Sequence, residues 1–230
     1  MRTIKVDICG SRTVELSAGI TVGEALQGCD TGERAPVVAA FVNNEVRALS
    51  FRLHINAQIL PVHLNTAHGQ RVYRRSLCYA LAIAAHRALP DVRLLIGHSL
   101  GNAYYYSFDG RTVSPDDLIE LRRHLADLIT EDRPIRRGVA AYNDALEFFN
   151  SHNMQDAALL VERHNYSEIP VYRCGDFMDL SHGPLVSSTG MLSAWEIEAF
   201  EDGFLLVFPT KEDPGTASPG QRSSTLFEIY

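Results

Sequence analysis

Lysine is almost missing from this chain of 230 residues. Lys5 and Lys211 are its only lysines, and arginine supplies the other basic residues. The formal net charge is −7 at pH 7. A protein that binds nucleic acid through phosphate contacts usually carries a surplus of basic residues. We therefore expect any contact with RNA to be local rather than spread over the whole surface.

Long apolar runs and paired cysteines are missing as well. The most apolar stretch, residues 77–85, is far shorter than the roughly 20 residues that a membrane-spanning helix needs. The four cysteines, at positions 9, 29, 78 and 174, form no Cys-x-x-Cys pair. Met1 leads directly into a strand-like run instead of a signal peptide. These features predict a cytoplasmic protein with reduced thiols and no membrane contact.

Two kinds of catalytic motif are absent from the sequence. A P-loop requires the pattern G-x-x-x-x-G-K-[ST], and neither Lys5 nor Lys211 follows such a run of glycines. The nine histidines are scattered, and none belongs to an H-E-x-x-H motif or another close metal-binding pattern. We therefore expect no ATP-dependent phosphoryl transfer by this polypeptide alone.

The first 65 residues show the pattern of a small α+β unit. Alternating residues at 3–8 and 13–16, joined by a Gly10-Ser11 turn, predict a β-hairpin. Thr21 is the expected N-cap of a short helix that stops at Gly28. Further strands are expected at 37–42, 45–49 and 59–64. One short helix among five strands predicts a β-grasp unit.

The remainder of the chain predicts a second, larger α+β domain with an antiparallel sheet. Residues 74–89 give the clearest helical pattern, which Pro90 ends. Further helices are expected at 115–130 and 142–152, and strands at 92–96, 103–108, 169–174, 177–180 and 203–208. Residues 209–225 are rich in Pro, Gly, Ser and Thr, which is typical of a linker or disordered tail. The apolar residues 226–230 that follow fit either a link to another domain or a tail that folds back on the core.

Two parts of the sequence resemble threonyl-tRNA synthetases. Residues 1–64 resemble their TGS domain, a β-grasp unit. Residues 73–109 and 171–190 resemble their editing domain (the second additional domain), which alanyl-tRNA synthetases share. The family's editing domain has an H-x-x-x-H helix and a later segment that reads roughly Y-R-C-G-x-x-x-D-x-C-x-G-P-H. Two histidines on one helix face, with a cysteine and a third histidine, can bind a metal or polarise a water molecule.

This sequence departs from the family pattern at those four positions. Arg75 and Tyr79 stand where the two helix histidines belong, Ser181 replaces the cysteine and Leu185 replaces the last histidine. Asp179 is retained. An arginine stays protonated and does not act as a metal ligand at neutral pH. The comparison of motifs therefore predicts no catalytic residue and no metal in this cleft.

A third resemblance is to bacterial nucleoside kinases of the uridine kinase type, which carry the same two units ahead of a P-loop domain. It is based on the phrases HSLGNAYYY at 98–106, HGPLVSSTG at 182–190 and DGFLLVFP at 202–209. It implies a TGS-like domain at 1–65, an editing-like domain at 66–208, and a linker at 209–230 toward a kinase domain absent from this chain. ATP and magnesium would bind only to that missing domain.

The expected ligand cleft combines three segments. Arg75, Tyr79 and His86 share one face of the first long helix, where Arg75 would contact an anion or simply belong to a polar stripe. Asp179 next to Arg75 would form an ion pair. The candidate residues are Arg75, Tyr79, His86, His98, Asn102, Asp179, Ser181 and His182. His98 and Asn102 flank Gly101, expected at positive φ, in a loop that either contacts a ligand or only connects two strands.

Three functions remain open from the sequence. The first is a non-catalytic regulatory module of a nucleoside kinase that binds a small nucleotide-like or amino-acid-like ligand or contacts the downstream kinase domain. The second is an editing hydrolase that acts on mischarged tRNA. The third is a module that tethers RNA or ribosomal partners through its TGS-like unit.

Overall fold

The protein is a mixed α+β structure built from several sheets. A computed structural model describes residues 2–27, 29, 34–163, 167–180 and 182–218. The strands in these ranges are β1 (Thr3–Ile8), β2 (Arg12–Ser17), β3 (Ile20–Thr21), β4 (Val37–Val42), β5 (Glu45–Arg47), β6 (Arg52–Leu53), β7 (Ala57–His63), β8 (Leu94–Leu100), β9 (Ala103–Phe108), β10 (Arg136–Ala141), β11 (Glu168–Cys174), β12 (Phe177–Leu180), β13 (Glu196–Phe200) and β14 (Gly203–Val207). The helices are α1 (Val22–Leu26), α2 (Ala67–Ala88), α3 (Pro115–Thr130), α4 (Tyr142–Ser151) and α5 (Gln155–Arg163), with a 3-10 turn at Thr189–Met191.

The N-terminal part forms a five-stranded sheet in the order β2-β1-β7-β4-β5. All neighbours are antiparallel except β1 and β7, which are parallel. Alternation buries Ile4, Val6 and Ile8 against α1. The predicted hairpin and the predicted strands are confirmed, with small shifts at their ends. The short β3–β6 pair was not predicted, because two residues carry no periodic signal.

Local chemistry explains the turns and the helix of this sheet. The hydroxyl of Thr21 accepts a hydrogen bond from the Glu24 amide, and the Glu24 carboxylate accepts one from the Thr21 amide, which is a capping box. Asn43 and Asn44 both have positive φ, as a tight hairpin turn requires. The predicted helix stop at Gly28 lies outside the described residues.

Helix α2 begins seven residues earlier than the sequence predicted. Its N-cap is Thr66, whose hydroxyl accepts from the Gly69 amide at 3.1 Å and donates to the His63 carbonyl at 2.7 Å. Gly69 lies so close to that carbonyl that a Cβ would collide with it. The first turn of α2 is polar, so the hydrophobic pattern did not reveal where the helix begins. Helix α2 therefore follows β7 almost directly.

Two antiparallel sheets follow where the sequence predicted one. Their orders are β13-β14-β9-β8 and β10-β11-β12. Helix α3 is confirmed at Pro115–Thr130, and its N-cap is Ser114. Strands β10 and β13 and helix α5 were not predicted. Strand β10 begins at Arg136 and Arg137.

The main core surrounds α2. Leu77 and Leu81 are fully buried, together with Val38 from the first sheet and Leu121 from α3. The hydroxyl of Tyr73 accepts from the Ala194 amide at 2.8 Å and donates to the Ala194 carbonyl at 3.1 Å. One helix thus packs against both parts of the chain. The domain boundary between residues 65 and 66 stays a prediction.

Residues 209–218 continue beyond β14. The side-chain amide of Asn102 donates to the carbonyls of Phe208 at 2.7 Å and Ser218 at 3.0 Å, which ties both ends of this segment to one residue. Residues 219–230, the rest of the predicted linker and its apolar end, lie outside the described residues. In the described ranges no helix is long and apolar enough to cross a membrane.

Candidate functional site

A cleft of about 970 Å³ runs along one face of α2. Its other walls come from β8 and β9, from the α4–α5 connection, from β12 and the loop after it, and from residues 210–212. The α2 residues that line it are Ala67, Gln70, Arg71, Arg74, Arg75, Cys78, Tyr79, Ala82, Ala85 and His86. Their spacing of three and four residues is that of one helix face. The volume falls in the range of small-ligand sites.

Arg75 contacts the loop that follows β12. Its Nη1 donates to the carbonyl of Pro184 at 3.1 Å. Gly183 has a φ of 134°, and a Cβ at this position would collide with the Arg75 guanidinium. Glycine is therefore needed both for the backbone conformation and for the close approach of the arginine.

Tyr79 forms the aromatic part of the same wall. Its ring lies edge-on to Phe177, with centroids 5.7 Å apart, and to Tyr172 at 6.4 Å. Tyr79 is only 6% exposed, and its hydroxyl is buried without a hydrogen-bond partner among the described residues. Burial raises the pKa of Tyr79 well above its ordinary value. The phenol thus stays protonated at neutral pH and cannot act as a base.

Asp179 and His182 line the cleft opposite α2. Burial raises the pKa of the Asp179 carboxyl, although the Leu180 amide, which donates to Oδ1 at 2.6 Å, and nearby His182 act in the other direction. The ion pair that we expected between Asp179 and Arg75 is not formed, since Arg75 bonds to the Pro184 carbonyl instead. Ser181 lies outside the described residues, so its proposed place in the cleft stays a prediction.

His86 lies near the other end of the cleft. Its ring packs on His152, with centroids 4.8 Å apart, and on Phe177 at 5.8 Å. Burial, and to a smaller extent the proximity of His152, lower the pKa of His86. His152, from the end of α4, was not among the predicted site residues, because only the fold brings it to α2.

His98 and Asn102 differ in their positions. His98 is exposed on β8 and stacks on Tyr105 at 5.6 Å, and it does not line the cleft. Tyr104 faces the cleft, and alternation along β9 directs Tyr105 to the opposite face. Asn102 lines the cleft, and its amide holds the segment after β14. Gly101 has the predicted positive φ of 59°.

Cys78 is the remaining candidate nucleophile in this wall. Burial raises its pKa to about 11, so the thiol stays protonated at neutral pH. All four cysteines are free thiols. Within the described ranges no group of three His, Cys, Asp or Glu side chains is placed to hold a metal ion.

Two arginines next to Arg75 were not among the predicted site residues. Arg71 and Arg74 also line the cleft, and the spacing 71, 74 and 75 on one helix face was the signal that could have revealed them. The Arg74 guanidinium lies 5.4 Å from the centroid of the Phe208 ring, and its Nε is buried with no partner in the described structure. Lys211 adds a further cation to the lining.

Comparison with known proteins gives a consistent group of relatives. The chain is 30% identical to a threonine–tRNA ligase of Acetivibrio thermocellus and 31% identical to that of Desulforamulus reducens, each over 196 residues, or 84% of this chain. The ligase of Symbiobacterium thermophilum is 30% identical over 185 residues, or 80%. These matches cover 31%, 31% and 28% of the ligases, so the chain spans less than a third of their length. No model of a known protein family matches the chain.

The homologues of this chain are therefore threonyl-tRNA synthetases. The relatives named above support the resemblance to the synthetases that the motifs predicted. None of them is a nucleoside kinase, so they give no support to the uridine kinase interpretation.

Proposed function

We propose that this chain is a tRNA-directed module related to the editing region of threonyl-tRNA synthetases, and that its cleft receives the aminoacylated 3′ end of a tRNA. The observation that carries the proposal is the extent of the similarity. A match over 84% of the chain must include its central part, from α2 to β12, which supplies most of the cleft walls. The shared segment is thus the one that forms the site.

The N-terminal sheet supports the assignment of a TGS-like β-grasp domain to residues 1–65. Its strand order β2-β1-β7-β4-β5 places the first and last long strands side by side and parallel, at the centre of the sheet. A short helix, α1, packs on this sheet. In the proposal, residues 66–208 form the editing-like domain, and the N-terminal sheet provides a second surface for RNA.

The side chains of the cleft favour recognition over metal-dependent hydrolysis. Arg75 cannot accept a proton, Tyr79 stays protonated, and the buried side chain of Leu185 has no polar atom. Asp179 is the acidic group of this wall, and we expect it to face the amino group of the bound aminoacyl ester. No cofactor is part of the proposed mechanism.

Editing hydrolysis is the second candidate, because the homologues are threonyl-tRNA synthetases. It would require a water molecule activated by a group other than the residues at 75, 79 and 185. The alternative, a regulatory module of a nucleoside kinase, is based only on short sequence motifs. We therefore propose a function related to that of threonyl-tRNA synthetases.

Binding to a short RNA hairpin that ends in CCA tests the proposed function. Its 3′ amino acid, threonine or serine, should be joined through an amide so that hydrolysis cannot remove it. We expect the aminoacylated hairpin to bind more tightly than the same hairpin without its terminal adenosine. Equal affinity for the two hairpins would contradict recognition of the 3′ end.

A deacylation assay with ester-linked aminoacyl-tRNA separates the two candidates. Binding without release of the amino acid supports recognition alone. Release that Asp179→Asn abolishes, with binding retained, would establish the hydrolase instead.

A further inference from the structure

The cleft has a cationic end formed by the arginine cluster, which comprises Arg71, Arg74 and Arg75. Arg71 is exposed, whereas Arg74 and Arg75 are half-buried. In the described part of the chain, none of the three forms an ion pair with a carboxylate, although Asp179 and Glu212 line the same cleft. Three guanidinium groups on one helix face, none of them ion-paired within the described ranges, favour the binding of an anion.

The bonds of these arginines leave donors available for a ligand. Nη1 of Arg75 donates to the Pro184 carbonyl. Nε of Arg74 has no hydrogen-bond partner among the described residues. A guanidinium carries five N–H donors in a planar fork, which suits the oxygens of a phosphate. The contact between Arg74 and the Phe208 ring holds that side chain in place.

The opposite end of the cleft contains a group of apolar side chains, beside the polar and charged residues His86, Arg93, His152 and Asp156. We call Ala82, Ala85, Val92, Leu94 and Met154 the apolar compartment; all five line the cleft. The Asn153 side chain donates to the Pro90 carbonyl at 3.2 Å, which places Met154 close to the end of α2. Ala82 and Ala85 lie about 10 and 15 Å along the helix axis from Arg75, from the rise of 1.5 Å per residue.

We propose that the cleft binds a nucleotide, with its phosphate on the arginine cluster and its base against the apolar compartment. This inference rests on the proposed function and makes it specific, because the terminal nucleotide of a tRNA and a free nucleoside monophosphate both carry these two groups. It differs from binding of an aminoacyl ester at Arg75. The arginines attract a phosphate and repel an ammonium group, which the proposed function places at Asp179 across the cleft.

Isothermal titration with adenosine 5′-monophosphate, adenosine and inorganic phosphate tests the two-part site. We expect the monophosphate to bind at least about tenfold more tightly than adenosine, as for a charge-assisted contact. Arg74→Ala and Arg75→Ala should each weaken it by about tenfold or more, and inorganic phosphate alone should bind weakly. Arg75→Lys tests whether the planar fork matters beyond its charge, and we expect it to restore only part of the affinity.

Arg87→Ala is the matched control, because Arg87 belongs to the same helix but pairs with Glu131 outside the cleft. It should bind the monophosphate like the unmodified protein. Gly183→Ala, which keeps all three arginines in the sequence but displaces the Arg75 side chain, should weaken binding as well. Thermal melting of each variant verifies that it is folded.

The results distinguish this inference from the proposed function. Equal binding of adenosine and its monophosphate, unchanged affinity in both arginine variants, or no binding of the monophosphate would overturn the nucleotide site. If the aminoacylated hairpin still binds in that case, the proposed function survives. If the monophosphate binds as expected and the hairpin does not, the nucleotide site stands and the proposed function fails.

Discussion

The two faces of helix α2 lie in different environments, the protein core and the cleft. One face carries Tyr73, Leu77 and Leu81 into the core, where they are almost completely buried and the Tyr73 hydroxyl has both a donor and an acceptor partner. The other face lines the cleft with arginines and small apolar residues. The Tyr73 hydroxyl on the core face is satisfied, whereas Nε of Arg74 and the hydroxyl of Tyr79 on the cleft face have no hydrogen-bond partner among the described residues.

This difference separates what stabilises the fold from what is available to a ligand. Residues on the core face lose solvent contact and gain packing, so their removal should mainly reduce stability. Residues on the cleft face keep their charge and some solvent contact, so their removal should mainly affect binding. Four substitutions test that division.

The largest loss of stability is expected from Leu77→Ala. Leu77 is fully buried beside α3 and the first sheet, so its truncation leaves a cavity in the main core. We expect the free energy of unfolding to fall by about 2–5 kcal/mol, as measured by urea denaturation. If the free energy of unfolding fell by no more than it does for a surface substitution, the core face would not be tightly packed.

Ser76 joins the core face to the loop that holds the cleft. Its hydroxyl donates to the Val72 carbonyl at 2.6 Å and accepts from the Val186 amide at 2.9 Å. Ser76→Ala leaves that buried amide without a partner, so we expect a loss of about 1–3 kcal/mol in unfolding free energy. Ser99→Ala, at an exposed serine, is the control and should change little. Equal effects of the two substitutions would contradict the assigned bond.

We expect His86 to make the stability of the folded protein depend on pH. Burial and the neighbouring His152 lower its pKa in the folded protein, so the unfolded chain binds a proton more readily. The stability associated with neutral His86 is thus present above a pH of about 6.5 and is lost as the pH falls below it. We expect His86→Gln to lose less stability than the unmodified protein between pH 7 and pH 5.

Thermal melting over that pH range measures the difference. His54→Gln, at an exposed histidine of the N-terminal part, is the control and should follow the unmodified protein. Parallel curves for all three proteins would show that His86 contributes nothing to the pH dependence.

The smallest effect on stability is expected from Arg71→Ala. Arg71 is exposed, and the structure assigns it no ion pair among the described residues. We expect the free energy of unfolding to change by no more than about 0.5 kcal/mol, the usual range for surface positions. A large loss in urea denaturation would show that the cleft face also stabilises the fold.

The sequence predicted the strongly periodic and well-capped elements. Helix α3 was found at both ends because Ser114, Pro115 and Asp117 give a complete start signal. The first seven residues of α2 were missed because Thr66 caps a turn of polar and small residues. Strand β10 was missed because Arg136, Arg137 and Gly138 show neither alternation nor β-branched side chains.

The predicted residues of the helix face, Arg75, Tyr79 and His86, line the cleft. So do the predicted residues Asn102, Asp179 and His182 on the facing segments. His152 reaches His86 through the packing of α4, and Phe208 reaches Arg74 from the end of β14, so no local pattern revealed either contact. His98 was included from a loop motif, but it lies on β8 where the register with β9 shifts between Ile96 and Ser99, and its ring stacks on Tyr105 outside the cleft.

Hydrogen exchange with and without the amide-linked aminoacyl hairpin tests the central claim most directly. If the cleft along α2 receives the 3′ end of a tRNA, bound RNA should slow amide exchange in the loop after β12 and at residues 209–218, and less in the N-terminal sheet. Protection confined to β1–β7, or no protection at saturating RNA, would contradict the assignment of this cleft as the binding site.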